Sequence, residues 1–165
     1  MPEYFDRYIN MADDVELMDA LHISMEELEE APVDKWKALG DKVYAPGKWT
    51  VKDLLQHLID TERVFNYRVV AFARKDPQKM LGYDEALYAA NAHAQQRTIE
   101  DLLEELKAVR LSTIYMYRSF TEEMLLTIGK GYSMEYSVAS MGFMIPGHQR
   151  WHLRVLEEKY FPLLS

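Results

Sequence analysis

Four stretches of this 165-residue chain repeat their apolar residues at helical spacing, and Pro- and Gly-containing segments separate them. The first runs from Asp13 to Glu30 with Val15, Leu17, Met18, Leu21, Met25 and Leu28, and Pro32 ends it. The second starts at Thr50, where threonine and Asp53 resemble a capping pair with a shorter acid than usual. It runs to about Arg74, with Val51, Leu54, Leu55, Leu58, Phe65, Val69 and Phe72 on one face. The third opens at Thr98 and Asp101, continues through Phe120 and carries Arg110 and Arg118. The fourth, capped by Ser137, runs from Val138 to Tyr160, and Pro146 inside it predicts a kink. The intervals hold a short helix at 33–39, a turn-rich stretch at 42–49, a loop at 76–84 and a weaker helical stretch at 85–96. Residues 121–136 form a connector with room for a short extended hairpin. With no convincing strand alternation, this pattern predicts an all-α, antiparallel four-helix bundle with a short additional helix or hairpin in its connectors. Tyr4–Met11 reads as an aromatic arm that packs on the body or on a neighbouring chain.

The length suits a single domain over residues 1–165. Hydrophobic residues make up 48% of the chain without a long apolar run, and no segment reads as a signal or transit peptide, so a soluble cytoplasmic protein is expected. The net charge of −8, with basic residues scattered among acids, argues against nucleic acid and against an anionic membrane surface. There is no cysteine, so any metal must be held by nitrogen and oxygen.

His148 and His152 stand four residues apart and fall in the same arc as Val138, Met141, Ile145, Val155 and Leu156, the core-facing stripe of the fourth helix. Buried imidazoles need partners. A shared metal ion is one solution, and hydrogen bonds to backbone carbonyls or tyrosines are the other; spacing alone leaves both open. His57 lies on the flank of the second helix, about 100° from its apolar centre and beside Thr61 and Arg68, where it faces a neighbouring helix. If it joins the pair, the result is a three-nitrogen site with open positions, suited to zinc, nickel, iron or cobalt. His22 and His93 show no partner pattern.

Three segments together resemble the DinB/YfiT-like superfamily of metal-dependent enzymes: Tyr44 through Thr50, Gln56 through Phe65, and Ile145 through His152. The resemblance extends over nearly the whole chain. It implies a four-helix bundle in which His57, His148 and His152 bind one divalent metal ion, zinc or nickel, and it implies a homodimer. It further implies a small-molecule substrate, with thiol-dependent S-transfer or isomerisation in some members and no known reaction in many others. Relatives often read Gly-His-Glu-x-His-His, whereas here Gln149 stands for the acid and Trp151 for the penultimate histidine. The ligand pair survives those changes.

The leading expectation is therefore an enzyme whose metal activates a low-molecular-weight thiol or water. Thr61, Arg68 and Gln149 are the candidates to meet substrate or to support the ligands, and Arg68 is suited to a carboxylate. Asp60 and Glu62 read as ligand supports or as inter-helix ion-pair residues, and Trp49, Trp151, Tyr115 and Tyr117 as pocket walls or core. The alternative is a non-catalytic, metal-stabilised binding module or a dimeric interaction domain.

Overall fold

The computed structural model describes residues 7–12 and 14–165. The expected arm is therefore described from residue 7 onward, and Asp13, the expected start of the first helix, also lies outside the described residues.

Four long helices form the body: α1 at Leu17–Glu29, α3 at Val51–Ala73, α5 at Ile99–Arg118 and α7 at Val138–Val155. Between them lie α2 at Val33–Leu39, α4 at Glu85–Asn91, α6 at Glu122–Leu126 and a two-stranded hairpin of β1, Ile128–Lys130, and β2, Glu135–Ser137. The strands pair antiparallel with Gly129 opposite Tyr136. A Cβ at Gly129 would stand 1.9 Å from the Phe72 ring, so the missing side chain is what lets the hairpin lie directly on α3.

The starts follow the sequence closely. The Asp53 amide donates to Thr50 Oγ1 at 3.3 Å and the Thr50 amide donates to Asp53 Oδ2 at 3.0 Å, so aspartate is long enough to close the capping box. Thr98 caps α5 and Ser137 caps α7 through the Asp101 and Ser140 amides. The ends are less regular. α5 stops two residues before Phe120, and the expected connector contains α6, which is only five residues long and leaves no periodic trace. α7 passes through Pro146 and changes to a π turn at Leu156–Tyr160.

α3 packs against α5 and α7, and α1 packs against the same two helices, so α1 and α3 occupy diagonal corners. Successive helices are therefore not always neighbours: the α1-to-α3 and α5-to-α7 connections cross an end of the bundle. The crossings explain the intervening elements, since α2 packs on α5 while the hairpin packs on α3 and α7.

Polar residues interrupt the apolar stripe of every long helix near its middle. They divide the core into two clusters, one around Leu21, Phe72, Tyr117 and Met141 and the other around Leu28, Leu55, Leu102 and Leu156. Burying each of these side chains contributes roughly 1.5–3 kcal/mol, which provides the stability that a buried polar layer needs. Within the layer Arg110 forks onto Glu62, with Nε to Oε1 at 2.9 Å and Nη2 to Oε2 at 3.0 Å, and also donates to Ser24 Oγ. Thr113 donates to the same carboxylate at 2.7 Å. Glu62 thus serves as an inter-helix ion-pair residue, and the network ties α1, α3 and α5 together. No described helix is long and apolar enough to cross a membrane.

Candidate metal centre

The other half of the polar layer belongs to α3 and α7. His57 is two turns past the α3 cap at Thr50, and His148 and His152 lie one turn apart on α7, so the helix packing brings three imidazoles together. The Nε2 atoms of His57 and His152 each stand 3.1 Å from Nε2 of His148, and the three ligand atoms all lie within 4.8 Å of one another. Two nitrogens bound to one ion at about 2.0–2.1 Å would be about 2.9 Å apart at a right angle and about 3.4 Å apart at the tetrahedral angle. The two 3.1 Å spacings to His148 fall between those values.

His57 and His148 are buried and His152 is half-buried. Burial lowers the His57 imidazole to about 4. Burial, followed by the charge of His57 and of Arg7, lowers His152 to about 3. His148 is pushed well below the usual range by burial and then by His152 and His57. All three rings are uncharged at neutral pH, the state in which imidazole is a ligand. His57 Nδ1 lies 3.3 Å from Thr61 Oγ1, which in turn lies 2.6 Å from the Tyr83 hydroxyl. With the proton on Nδ1 donated to Thr61, the Nε2 lone pair faces the other two rings. Nitrogen lone pairs directed at one another in a buried site lack a partner unless a proton or a cation lies between them, so the donor set fits a metal ion.

Two clefts flank the cluster. One, of about 140 Å³, is lined by His148, Thr61, Arg68, Tyr83, Tyr136 and Tyr8 among others. The second, of about 470 Å³, is lined by His152, Trp49, Trp151, Tyr44 and Lys48 among others. A further cleft of about 500 Å³ holds none of the histidines, and its Arg150 is paired with Glu27 at 2.6 Å.

Tyr8 reaches the site because α7 carries glycine at 147. A Cβ there would stand 1.7 Å from the Tyr8 carbonyl oxygen. The Tyr8 ring then meets His148 edge-on with centroids 5.1 Å apart and Trp151 at 6.2 Å.

Thr61 and Arg68 are both buried on the same side of α3 as His57. Arg68 donates from Nη2 to the Leu81 carbonyl at 2.7 Å. Gln149 faces α1 instead: its Nε2 donates to the Ser24 carbonyl and to Glu27 Oε2, both at 2.9 Å, and its Oε1 is buried without a partner. A glutamate at position 149 would meet the Glu27 carboxylate, which accounts for the amide there. Asp60 accepts from Gln56 at 3.0 Å. Trp49 lies tilted against the His57 ring with centroids 4.8 Å apart, whereas Tyr117 is core and Tyr115 is exposed. His22 and His93 are exposed and lie outside the cluster. Tyr83 and Tyr8 are the site residues that sequence reasoning missed: they come from a loop and an arm, where no periodicity marks a direction.

The sequence profile of the DinB superfamily matches residues 15–156, most of the chain, including all three histidines. The chain belongs to the DinB superfamily. None of the curated proteins compared with it matches. Among solved structures, this DinB-superfamily chain is similar to YfiT from Bacillus subtilis, described as a probable metal-dependent hydrolase with an unusual four-helix bundle topology. That similarity has a TM-score of 0.68 at 15% identity and covers 100% of this chain and 87% of YfiT, so it supports the fold. The diagonal placement of α1 and α3 is the respect in which the present bundle departs from a simple ring of successive helices.

Proposed function

We propose that His57, His148 and His152 hold one divalent metal ion, zinc or nickel, and that the protein is a metal-dependent enzyme acting on a small molecule with water or a low-molecular-weight thiol as the nucleophile. The observation that carries this reading is the convergence of three uncharged imidazoles, with the Nε2 atoms of His57 and His152 each 3.1 Å from that of His148 and all three ligand atoms within 4.8 Å, between two clefts. An ion held by three imidazoles retains open positions and acts there as a Lewis acid, lowering the pKa of a bound water or thiol. Thr61 fixes the His57 tautomer, and Tyr83 orients the Thr61 hydroxyl. Trp49 and Trp151 line the cleft on the His152 side. The description of YfiT as a probable hydrolase supports water as the nucleophile; a thiol is the alternative that the sequence resemblance to the superfamily implies.

A second reading is a metal-stabilised binding module. It is favoured by the absence of a carboxylate from the cluster of described residues: Gln149 is turned to α1, and Glu62 is occupied by Arg110. Tag-free protein loaded with zinc or nickel should be assayed for ester and amide hydrolysis and for thiol consumption with alkyl electrophiles, with His57→Ala as control. Metal-dependent turnover in either assay, lost in the variant, supports the enzyme. Tight metal binding with a large rise in Tm and no turnover selects the binding module.

A further inference from the structure

Arg68 is only 7% exposed, yet among the described residues it has no carboxylate partner. Its one hydrogen bond among the described residues, Nη2 to the Leu81 carbonyl, uses a single N–H of the five that a guanidinium offers. The other buried arginine, Arg110, has its charge matched by Glu62. A buried guanidinium held in place by a backbone carbonyl and left without a counter-ion is costly by itself, and that cost falls when an anion arrives.

The place where the anion would bind is the 140 Å³ cleft that Arg68 lines with His148, Thr61, Tyr83, Ser133 and Tyr136. Burial lowers the Arg68 pKa, and the ionisable groups that act on it are the phenols of Tyr136 and Tyr83. Glu85, the one acid among the described lining residues, is exposed. Burial raises its carboxyl while the charge on Arg7 lowers it, so Glu85 answers to Arg7 and leaves Arg68 unmatched. The cleft is thus small, open on its far wall to His148, aromatic around its rim and positively charged on one side.

We infer that this cleft binds a substrate bearing a carboxylate, which Arg68 grips in a fork while Tyr83 and the 128–137 hairpin enclose it, leaving the rest of the molecule directed at His148. With one Nη2 proton taken by Leu81, the planar guanidinium keeps one complete fork, its second Nη2 proton beside that of Nε or of Nη1, which matches a planar carboxylate and supplies charge-assisted bonds stronger than neutral ones. The carboxylate grip stands on Arg68 alone; the direction of the reacting group rests on the metal-centre reading above. Arg68 is then a specificity-determining residue of the His148 side, and the aromatic cleft beside His152 is left for the apolar portion of a substrate or for a second reactant.

The two parts are tested separately. In cobalt-loaded protein, the thiolate-to-cobalt absorption band is titrated with 3-mercaptopropionate and with 1-propanethiol, which differ in the carboxylate. We expect half-saturation at a concentration at least tenfold lower for mercaptopropionate. Arg68→Gln should remove that ratio without moving the propanethiol midpoint, and Arg68→Lys should keep part of it. Equal midpoints in the wild type, or a ratio unchanged in either variant, overturn the inference. If cobalt does not bind, the metal reading fails, and the grip is read instead from the NMR shift of the wild-type Arg68 Nε–H group. A shift with mercaptopropionate and none with propanethiol supports the grip, and no shift overturns it. Tighter capture of inorganic phosphate than of mercaptopropionate, in either arm, overturns the carboxylate assignment.

Discussion

Acidifying the metal-free protein should unfold it well before its carboxylates titrate. In the unfolded chain His57 protonates near 6.5, whereas in the fold burial holds it neutral down to about 4. Between those values the unfolded state binds more protons, so stability is fully present above pH 6.5 and is lost as the pH falls towards 4. At pH 5 the loss from His57 alone is about 2 kcal/mol, from 1.36 kcal/mol per unit over about 1.5 units. His152, lowered to about 3 mainly by burial, and His148, lowered well below the usual range, act in the same direction. Against a typical total of roughly 5–15 kcal/mol, the three together bring the metal-free fold near its limit. The assay is urea unfolding of chelator-treated protein at pH 7, 6 and 5, beside a His57→Leu, His148→Leu, His152→Leu triple variant that serves as the carboxylate baseline. The wild type should lose at least 2 kcal/mol between pH 7 and 5, and the variant much less. A wild-type change under about 1 kcal/mol, or the same slope in both proteins, would refute the claim that the fold confines neutral imidazoles.

Thr61→Val removes the acceptor at His57 Nδ1 and should weaken metal affinity about 10–100-fold in chelator competition with little change in fold. Arg110→Met leaves the Glu62 carboxylate buried with Thr113 as its remaining partner, and urea unfolding at pH 7 should show a loss of about 3–5 kcal/mol. Gly147→Ala would ordinarily favour a helix by roughly 1 kcal/mol, but its Cβ meets the Tyr8 carbonyl. The arm should leave the site, so trypsin should cut after Arg7 at least tenfold faster and Trp151 fluorescence should shift.

The long helices were legible because each buries one stripe, and a buried stripe imposes its period on the sequence; Thr50, Thr98 and Ser137 marked the starts through their capping chemistry. The order of the helices around the bundle was not legible. Nothing in the apolar pattern distinguishes a neighbour from a diagonal partner, and the crossings depend on α2 and on a hairpin whose contact with Phe72 needs the absent Cβ of Gly129. Within the site, the buried position of His148 and the flank position of His57 could be read from helical angles. Their convergence could not, because it depends on the rotation of α3 against α7. Gln149 illustrates the remaining gap: adjacent in sequence to His148, it faces α1 and pairs with Glu27, and only packing determines that direction.

The central claim is that three imidazoles share one ion and leave room for another ligand. Elemental analysis combined with metal-edge X-ray absorption on protein expressed without a histidine tag tests it directly. The account predicts one zinc or nickel per chain, three imidazole nitrogens at about 2.0–2.1 Å and at least one further light donor that exchanges with added thiol. No bound or restorable metal, or metal retained equally after His57, His148 and His152 are all replaced by alanine, would contradict it.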